Sequence, residues 1–114
     1  MPNRALLAAV VAALLTACAS PAPIPADGSP PPADAYEQAA LCLRIVADAL
    51  DRAGASLDQV VRTRVYLTDA SHWEGVARAH GEAFRDVRPA NTTVVAQLLY
   101  PAWKVEIEVE AVLP

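Results

Sequence analysis

Apolar residues recur at helical spacing after a polar stretch near residue 34. Asp34 and Glu37 have the spacing of an N-terminal cap with a reciprocal acidic partner, which predicts that a helix begins there. Gly54 predicts its end, because glycine readily adopts the left-handed conformation that follows a helix. The apolar face of this helix would consist of Leu41, Cys42, Ile45, Val46, Ala49 and Leu50. We interpret Cys42 as a small buried hydrophobe rather than a reactive thiol.

A strand and a second helix are predicted next. Residues 60–68 alternate and are rich in β-branched residues, which favours a strand. One face of the strand would carry Val61, Thr63, Val65 and Leu67, and the other Arg62, Arg64 and Tyr66. Ser71 and Glu74 have capping-box spacing before a helix over residues 71–84. Its inner face would include Trp73, Val76, Phe84 and His80, which we interpret as a packing residue rather than a catalyst.

Two more strands are predicted over residues 92–98 and 104–113, after a turn at residues 86–89. In the last strand Val105, Ile107, Val109 and Ala111 would face one way, and Glu106, Glu108 and Glu110 the other. The order of elements predicts an α+β fold with both helices on one face of a sheet. On the opposite face the arginines and glutamates would either form a cross-strand salt-bridge ladder or meet other subunits.

The first 33 residues differ in composition from the rest. Arg4 precedes an apolar run over residues 5–15, which is too short to span a bilayer but has the length of a secretory signal. Leu15-Thr16-Ala17-Cys18 resembles a bacterial lipobox, so Cys18 is a candidate lipidation site that would attach the protein to a membrane. Residues 19–33 are dominated by Pro and Ala and predict an extended linker.

The predicted organisation is therefore a signal segment (1–18), a linker (19–33) and a folded domain (34–114) of a cell-envelope lipoprotein. The alternative is that a frameshift or a wrong start site produced the N-terminal segment. The protein would then be cytoplasmic.

Charge and cysteine spacing exclude several functional classes. The chain has a net charge of −4, and its basic residues are scattered singly, so nucleic acid is not an expected partner. The two cysteines lack metal-type spacing and predict neither a disulfide framework nor a zinc site. A folded part of about 80 residues buries only ~60% of the surface of its unfolded chain, so we expect assembly with other copies.

Five stretches of the chain have the order and spacing of a known set of motifs. They are Ala53-Gly54-Ala55-Ser56-Leu57, Val60-Val61-Arg62-Thr63, Val65-Tyr66-Leu67-Thr68-Asp69, Arg88-Pro89-Ala90-Asn91-Thr92 and Lys104-Val105-Glu106-Ile107-Glu108. Together they resemble the RidA-type family (YjgF-like, reactive intermediate deaminases). The resemblance implies a chorismate-mutase-like fold, a sheet with two helices packed on one face, assembled as a homotrimer with ligand sites between subunits. The first strands of that fold are expected to be lacking here, which would leave the sheet with an unpaired edge.

The resemblance also implies an activity, the hydrolysis of reactive enamines and imines to 2-oxo acids without metal or organic cofactor. The family's water-positioning glutamate falls on Glu106, but the arginine that grips the substrate carboxylate falls on Asn91, a neutral amide. An asparagine of the second helix in some members falls on Ala77. We therefore assign Glu106 and Asn91 as catalytic. Arg64, as a replacement cation, and Thr92 are assigned to substrate binding.

Three functions remain open from the sequence. The first is deamination of a small imino acid or related metabolite. The second is a non-catalytic trimer of the same family that binds a metabolite or a protein in the cleft between subunits. The third is a truncated remnant without a function of its own.

Overall fold

The computed structural model describes residues 22–113. They form two helices, α1 (Ala35–Arg52) and α2 (Trp73–Phe84), and three strands, β1 (Val60–Leu67), β2 (Ala90–Val95) and β3 (Val105–Ala111). Short 3-10 turns precede β1 and α2. The predicted signal segment with Cys18 lies outside the described residues. Within residues 22–113, neither helix combines the length and the hydropathy that a membrane span requires.

The central strand of the sheet is β1. The strand order is β2-β1-β3, in which β1 pairs in parallel with β2 and antiparallel with β3. Because parallel strands need a crossover connection, α2 lies between β1 and β2 in the chain. β2 and β3 follow each other in the sequence but are separated in the sheet by β1.

Both helices pack on the same face of the sheet, as the alternation predicted. The core between the layers is formed by Ala35, Ala39, Cys42, Leu43, Val60, Val65, Leu67, Val76, Ala79, Phe84, Val105 and Ile107. The helices approach closely at Gly75, where a Cβ atom would lie 3.2 Å from the backbone nitrogen of Tyr36. Burial raises the pKa of the Cys42 thiol to about 12, which fits its interpretation as a buried hydrophobe.

The predicted limits of α1 are confirmed. The side chain of Asp34 accepts a hydrogen bond from the backbone nitrogen of Glu37, at 3.2 Å, and so caps the helix. Gly54, one residue beyond the C-cap, has a φ of 81°, the left-handed conformation for which glycine was expected.

The phase of β1 differs from the prediction at its first residues. Val61 was expected to face the core but is 49% exposed, and Val60 is buried instead. A register shift between Val60 and Arg62 in the pairing with β3 causes this difference.

The helix faces also differ in detail. Leu41 and Ile45 are only partly buried, because the seam of α1 against the sheet is centred on Ala39, Cys42, Leu43 and Val46. Trp73 is 42% exposed, so its predicted place on the inner face of α2 is wrong, and Ala79 is buried there instead. The 3-10 turn before α2 sets the helix phase, which capping spacing alone does not specify.

Gln38 is a buried polar residue that joins three segments. Its Nε2 donates to the carbonyl of Pro32 at 2.7 Å and to that of Ala102 at 2.9 Å. Its Oε1 accepts from the backbone nitrogen of Lys104 at 2.8 Å. Burial of an amide costs little free energy when both its oxygen and its nitrogen are hydrogen-bonded. Here these bonds hold the segment before α1 against the segment before β3.

Candidate functional site

Three of the four site residues predicted in the folded domain lie on the face of the sheet that the helices leave uncovered. We call it the outer face, and it consists of Arg62, Arg64, Tyr66, Ala90, Thr92, Val94, Glu106, Glu108 and Glu110. Arg64 pairs with Thr92 on one side, and its neighbour Tyr66 pairs with Glu106 on the other. Residues paired across strands share a face, so the structure brings Arg64, Thr92 and Glu106 to one surface.

Asn91, the fourth predicted residue, lies on the helix side. It pairs with Thr63, which is fully buried beneath the helices. Asn91 and Glu106 are two strand spacings apart and offset by three residues along β1, which places their Cα atoms about 14 Å apart. Their side chains also point to opposite faces, so a single copy of the chain does not bring them together.

Arg64 is the centre of a salt-bridge network on the outer face. Its Nη1 lies 3.3 Å from Oε1 of Glu108, and its Nη2 lies 3.5 Å from Oε1 of Glu110. The hydroxyl of Tyr66 donates to the same Glu108 oxygen at 2.6 Å. Among the described residues Arg62 makes no ion pair, so the predicted ladder forms around Arg64 alone.

Glu106 has a different environment from the other two glutamates. Its side chain is partly buried, and no cation of residues 22–113 forms an ion pair with it. Burial and, to a smaller extent, the negative charge of Glu108 raise the pKa of Glu106. A carboxylate with a raised pKa is a stronger base than an ordinary surface glutamate, which suits a group that orients water.

Asn91 belongs to a hydrogen-bond network on the helix side. Its Nδ2 donates to Oγ1 of Thr63 at 2.9 Å, and its Oδ1 accepts from the hydroxyl of Thr93 at 2.8 Å. Oγ1 of Thr63 is also 2.8 Å from Nε2 of His80. Since Thr63 accepts from Asn91, its own proton is free to be donated to a neutral His80 ring.

His80 is a packing residue, as predicted, with a polar contact that the sequence did not reveal. Its ring centroid lies 4.8 Å from that of Phe84, and burial lowers its pKa, which favours the neutral imidazole. Thr63 and His80 are 17 residues apart, and only the packing of α2 on β1 brings them together. Helical periodicity had indicated the inward direction of His80 but not its partner.

The turn before β2 positions Asn91. Arg88 has a φ of 52°, a left-handed conformation uncommon for a residue with a side chain, and its backbone nitrogen donates to the carbonyl of Phe84 at 3.0 Å. This hydrogen bond closes the end of α2, and β2 begins two residues later. The turn predicted at residues 86–89 is therefore confirmed.

A cleft of about 550 Å³ lies elsewhere, between the N-terminal ends of the two helices. Tyr36, His72, Arg78 and Lys104 are among its lining residues, and none of the predicted site residues is. Over residues 22–113, no three His, Cys, Asp or Glu side chains are grouped as ligands for a metal ion.

The chain is similar in sequence to known proteins. A family model described as Endoribonuclease L-PSP matches residues 7–113. An uncharacterized protein of Streptomyces coelicolor is 37% identical over 79 residues, which cover 68% of this chain and 59% of that protein. The chain thus spans less than two thirds of the length of this curated relative.

Solved structures share both sequence and fold with this chain. A Mycobacterium tuberculosis member of the YjgF/YER057c/UK114 family is 40% identical, with a TM-score of 0.71, over 74% of this chain and 72% of that one. TdcF of E. coli, solved with bound serine, is 26% identical, with a TM-score of 0.75, over 82% and 76% of the two chains. These likenesses confirm the predicted arrangement of two helices on one face of a mixed sheet.

Proposed function

This chain belongs to the RidA/YjgF family, and we propose that it hydrolyses reactive imines and enamines at a site formed between copies of the chain. The observation that carries the proposed hydrolysis is Glu106, a partly buried carboxylate that no cation of residues 22–113 pairs with. We propose a site between copies because Glu106 and Asn91 lie on opposite faces of the sheet, about 14 Å apart. One copy cannot bring both groups to one small molecule. A homotrimer in which the outer face of one copy meets β2 of the next would do so.

In the proposed reaction, Glu106 accepts a hydrogen bond from a water molecule and directs its oxygen at the imine carbon. Glu106 takes one proton of the water as the C–O bond forms and the C=N double bond becomes single, and it returns that proton to the nitrogen. The remaining hydroxyl proton then passes to the nitrogen as the C–N bond breaks, which releases ammonia and leaves a carbonyl product. Water is the only co-reactant, and the raised pKa of Glu106 supports its role as the base.

The role proposed for Asn91 is orientation. Its amide is held by Thr63 and Thr93, so it presents a fixed neutral group to a neighbouring copy rather than a charge. The serine bound in the E. coli relative supports a ligand of comparable size.

We do not propose RNA cleavage, although the matching family model is described as an endoribonuclease. The chain has a net charge of −4, and its outer face carries three glutamates and two arginines. Binding of a phosphate backbone requires the opposite charge.

The test is imine hydrolysis by the full chain, with the imine generated in situ by an oxidase and ammonia release measured against the uncatalysed rate. We expect Glu106→Gln to lower the accelerated rate by about 100-fold, the usual contribution of a general base. Glu74→Gln, on exposed helix surface, is the matched control. A wild-type rate equal to that in buffer would refute the proposal.

A second candidate function is binding without turnover, and the neutral Asn91 favours it. In that case calorimetry would detect a bound small ligand, while the rate of imine hydrolysis would equal that in buffer.

A further inference from the structure

We infer that the site prefers imines derived from amines, which lack a carboxylate, over imino acids. The inference rests on the proposed function and specifies its substrate class. It follows from how the charged groups of the outer face are paired with one another.

The cations of the outer face are not free to bind a carboxylate near Glu106. Arg64 lies between two carboxylates, and each of its terminal nitrogens faces one of them, Nη1 facing Glu108 at 3.3 Å and Nη2 facing Glu110 at 3.5 Å. Arg62 pairs with Ala90 and Glu110, four residues along β1 from the Tyr66–Glu106 pair and therefore about 13 Å away. A carboxylate beside Glu106 would therefore be repelled by the nearby negative charges of Glu106 and Glu108.

Glu106 itself is a partly buried carboxylate without an ion-pair partner among the described residues. Such a group favours a positive ligand, because an opposite charge within about 4–6 Å offsets the cost of partial burial. A protonated imine of an amine has this charge. An imino acid adds a carboxylate that Glu106 and Glu108 both repel.

Asn91 does not reverse this preference. Its Nδ2 already donates to Thr63, and its Oδ1 already accepts from Thr93. Because this neutral amide already makes both hydrogen bonds, it offers an incoming carboxylate no positive charge and at most one further N–H donor.

The specified reaction is the attack of water on a protonated imine. The water oxygen bonds to the carbon as Glu106 takes one proton of the water and returns it to the nitrogen. The hydroxyl proton then passes, again through Glu106, to the departing nitrogen as the C–N bond breaks, so the products are an aldehyde or ketone and ammonium. The positive charge enters with the substrate and leaves with ammonium, so the ionised Glu106 attracts the bound substrate.

The experiment compares two imines that differ by a carboxylate. An amine oxidase generates one from butylamine, and an amino acid oxidase generates the other from norvaline. We expect the full chain to accelerate hydrolysis of the butylamine-derived imine at least tenfold more. Glu108→Gln with Glu110→Gln, which frees Arg64, should shift the ratio of the two rates towards the norvaline-derived imine by about tenfold. Glu74→Gln should leave the ratio unchanged.

Calorimetry with butylammonium and pentanoate separates the two proposals. If butylammonium binds more tightly than pentanoate while neither imine is hydrolysed faster than in buffer, the ligand class stands and the hydrolase function fails. If the norvaline-derived imine is hydrolysed equally fast or faster, for instance because Arg62 of another copy binds its carboxylate, the hydrolase function stands and this inference is overturned. Absence of both binding and turnover overturns both.

Discussion

Thr63 connects the helix layer with the edge strand through a single hydroxyl group. It is fully buried, and its oxygen is shared by His80 of α2 and Asn91 of β2. Because a buried hydroxyl without partners would destabilise the fold, the residues around it are constrained together. One requirement is that His80 be neutral, because its Nε2 must then accept the proton of the Thr63 hydroxyl.

The stability of the fold should therefore depend on the ionisation of His80. Burial lowers its pKa in the folded chain, whereas the unfolded chain takes up the proton near its ordinary pKa of about 6.5. The stabilising contribution of the neutral ring is complete above about pH 6.5 and is lost as the pH falls through that value towards the lower folded pKa. We expect the free energy of unfolding of the wild type, measured in urea, to fall more steeply from pH 7.5 to 5 than that of His80→Gln.

The corresponding control is His72→Gln, because His72 lies outside the Thr63 network. If the free energy of unfolding changed with pH in parallel for the wild type and His80→Gln, protonation of His80 would not be coupled to folding.

At the scale of elements, capping residues and alternation predicted the helix limits and the strand faces, whereas the pairing of the strands could not be predicted. Asp34 and Gly54 fixed the limits of α1, and the alternating glutamates fixed the outer face of β3. The displacement of Val61 could not be predicted, since a register shift depends on the partner strand. The separation of Asn91 from Glu106 also required the strand order, because spacing along the chain does not tell which strands are neighbours.

Gln38 supplies a prediction at this scale, because three segments depend on its side chain. Replacement by Met keeps the length but leaves the carbonyls of Pro32 and Ala102 and the nitrogen of Lys104 without this partner. We expect Gln38→Met to lower the free energy of unfolding by about 1–3 kcal/mol. Gln97→Met, at an exposed position, should change it by less than about 0.5 kcal/mol. Equal effects of the two substitutions in urea denaturation would contradict this role.

At the scale of the whole molecule, the outer face is the surface through which we propose that copies assemble. It includes Val94, a large apolar side chain that is 44% exposed on the edge strand. Interfaces between identical subunits are more apolar than the rest of a protein surface, so the exposed Val94 suits such a contact.

We expect the wild-type chain to sediment as a trimer, with three times the 12.0 kDa mass of one copy. Val94→Glu would bury an unpaired charge in the proposed interface and should yield monomers. Trp73→Glu tests a side chain of similar exposure, 42%, on the helix layer and should leave the trimer intact. A monomeric wild type in analytical ultracentrifugation would contradict the proposed assembly.

The strand order also determines when the protein can fold during its synthesis. β3 is the last described strand to be made, yet it pairs with the central strand and places Val105 and Ile107, both fully buried, in the core. Until Ala111 has left the ribosome, α1, β1, α2 and β2 therefore expose the apolar surface that β3 will cover. A nascent chain with such a surface is a natural substrate for chaperones, and its folding is completed only after β3 has been made.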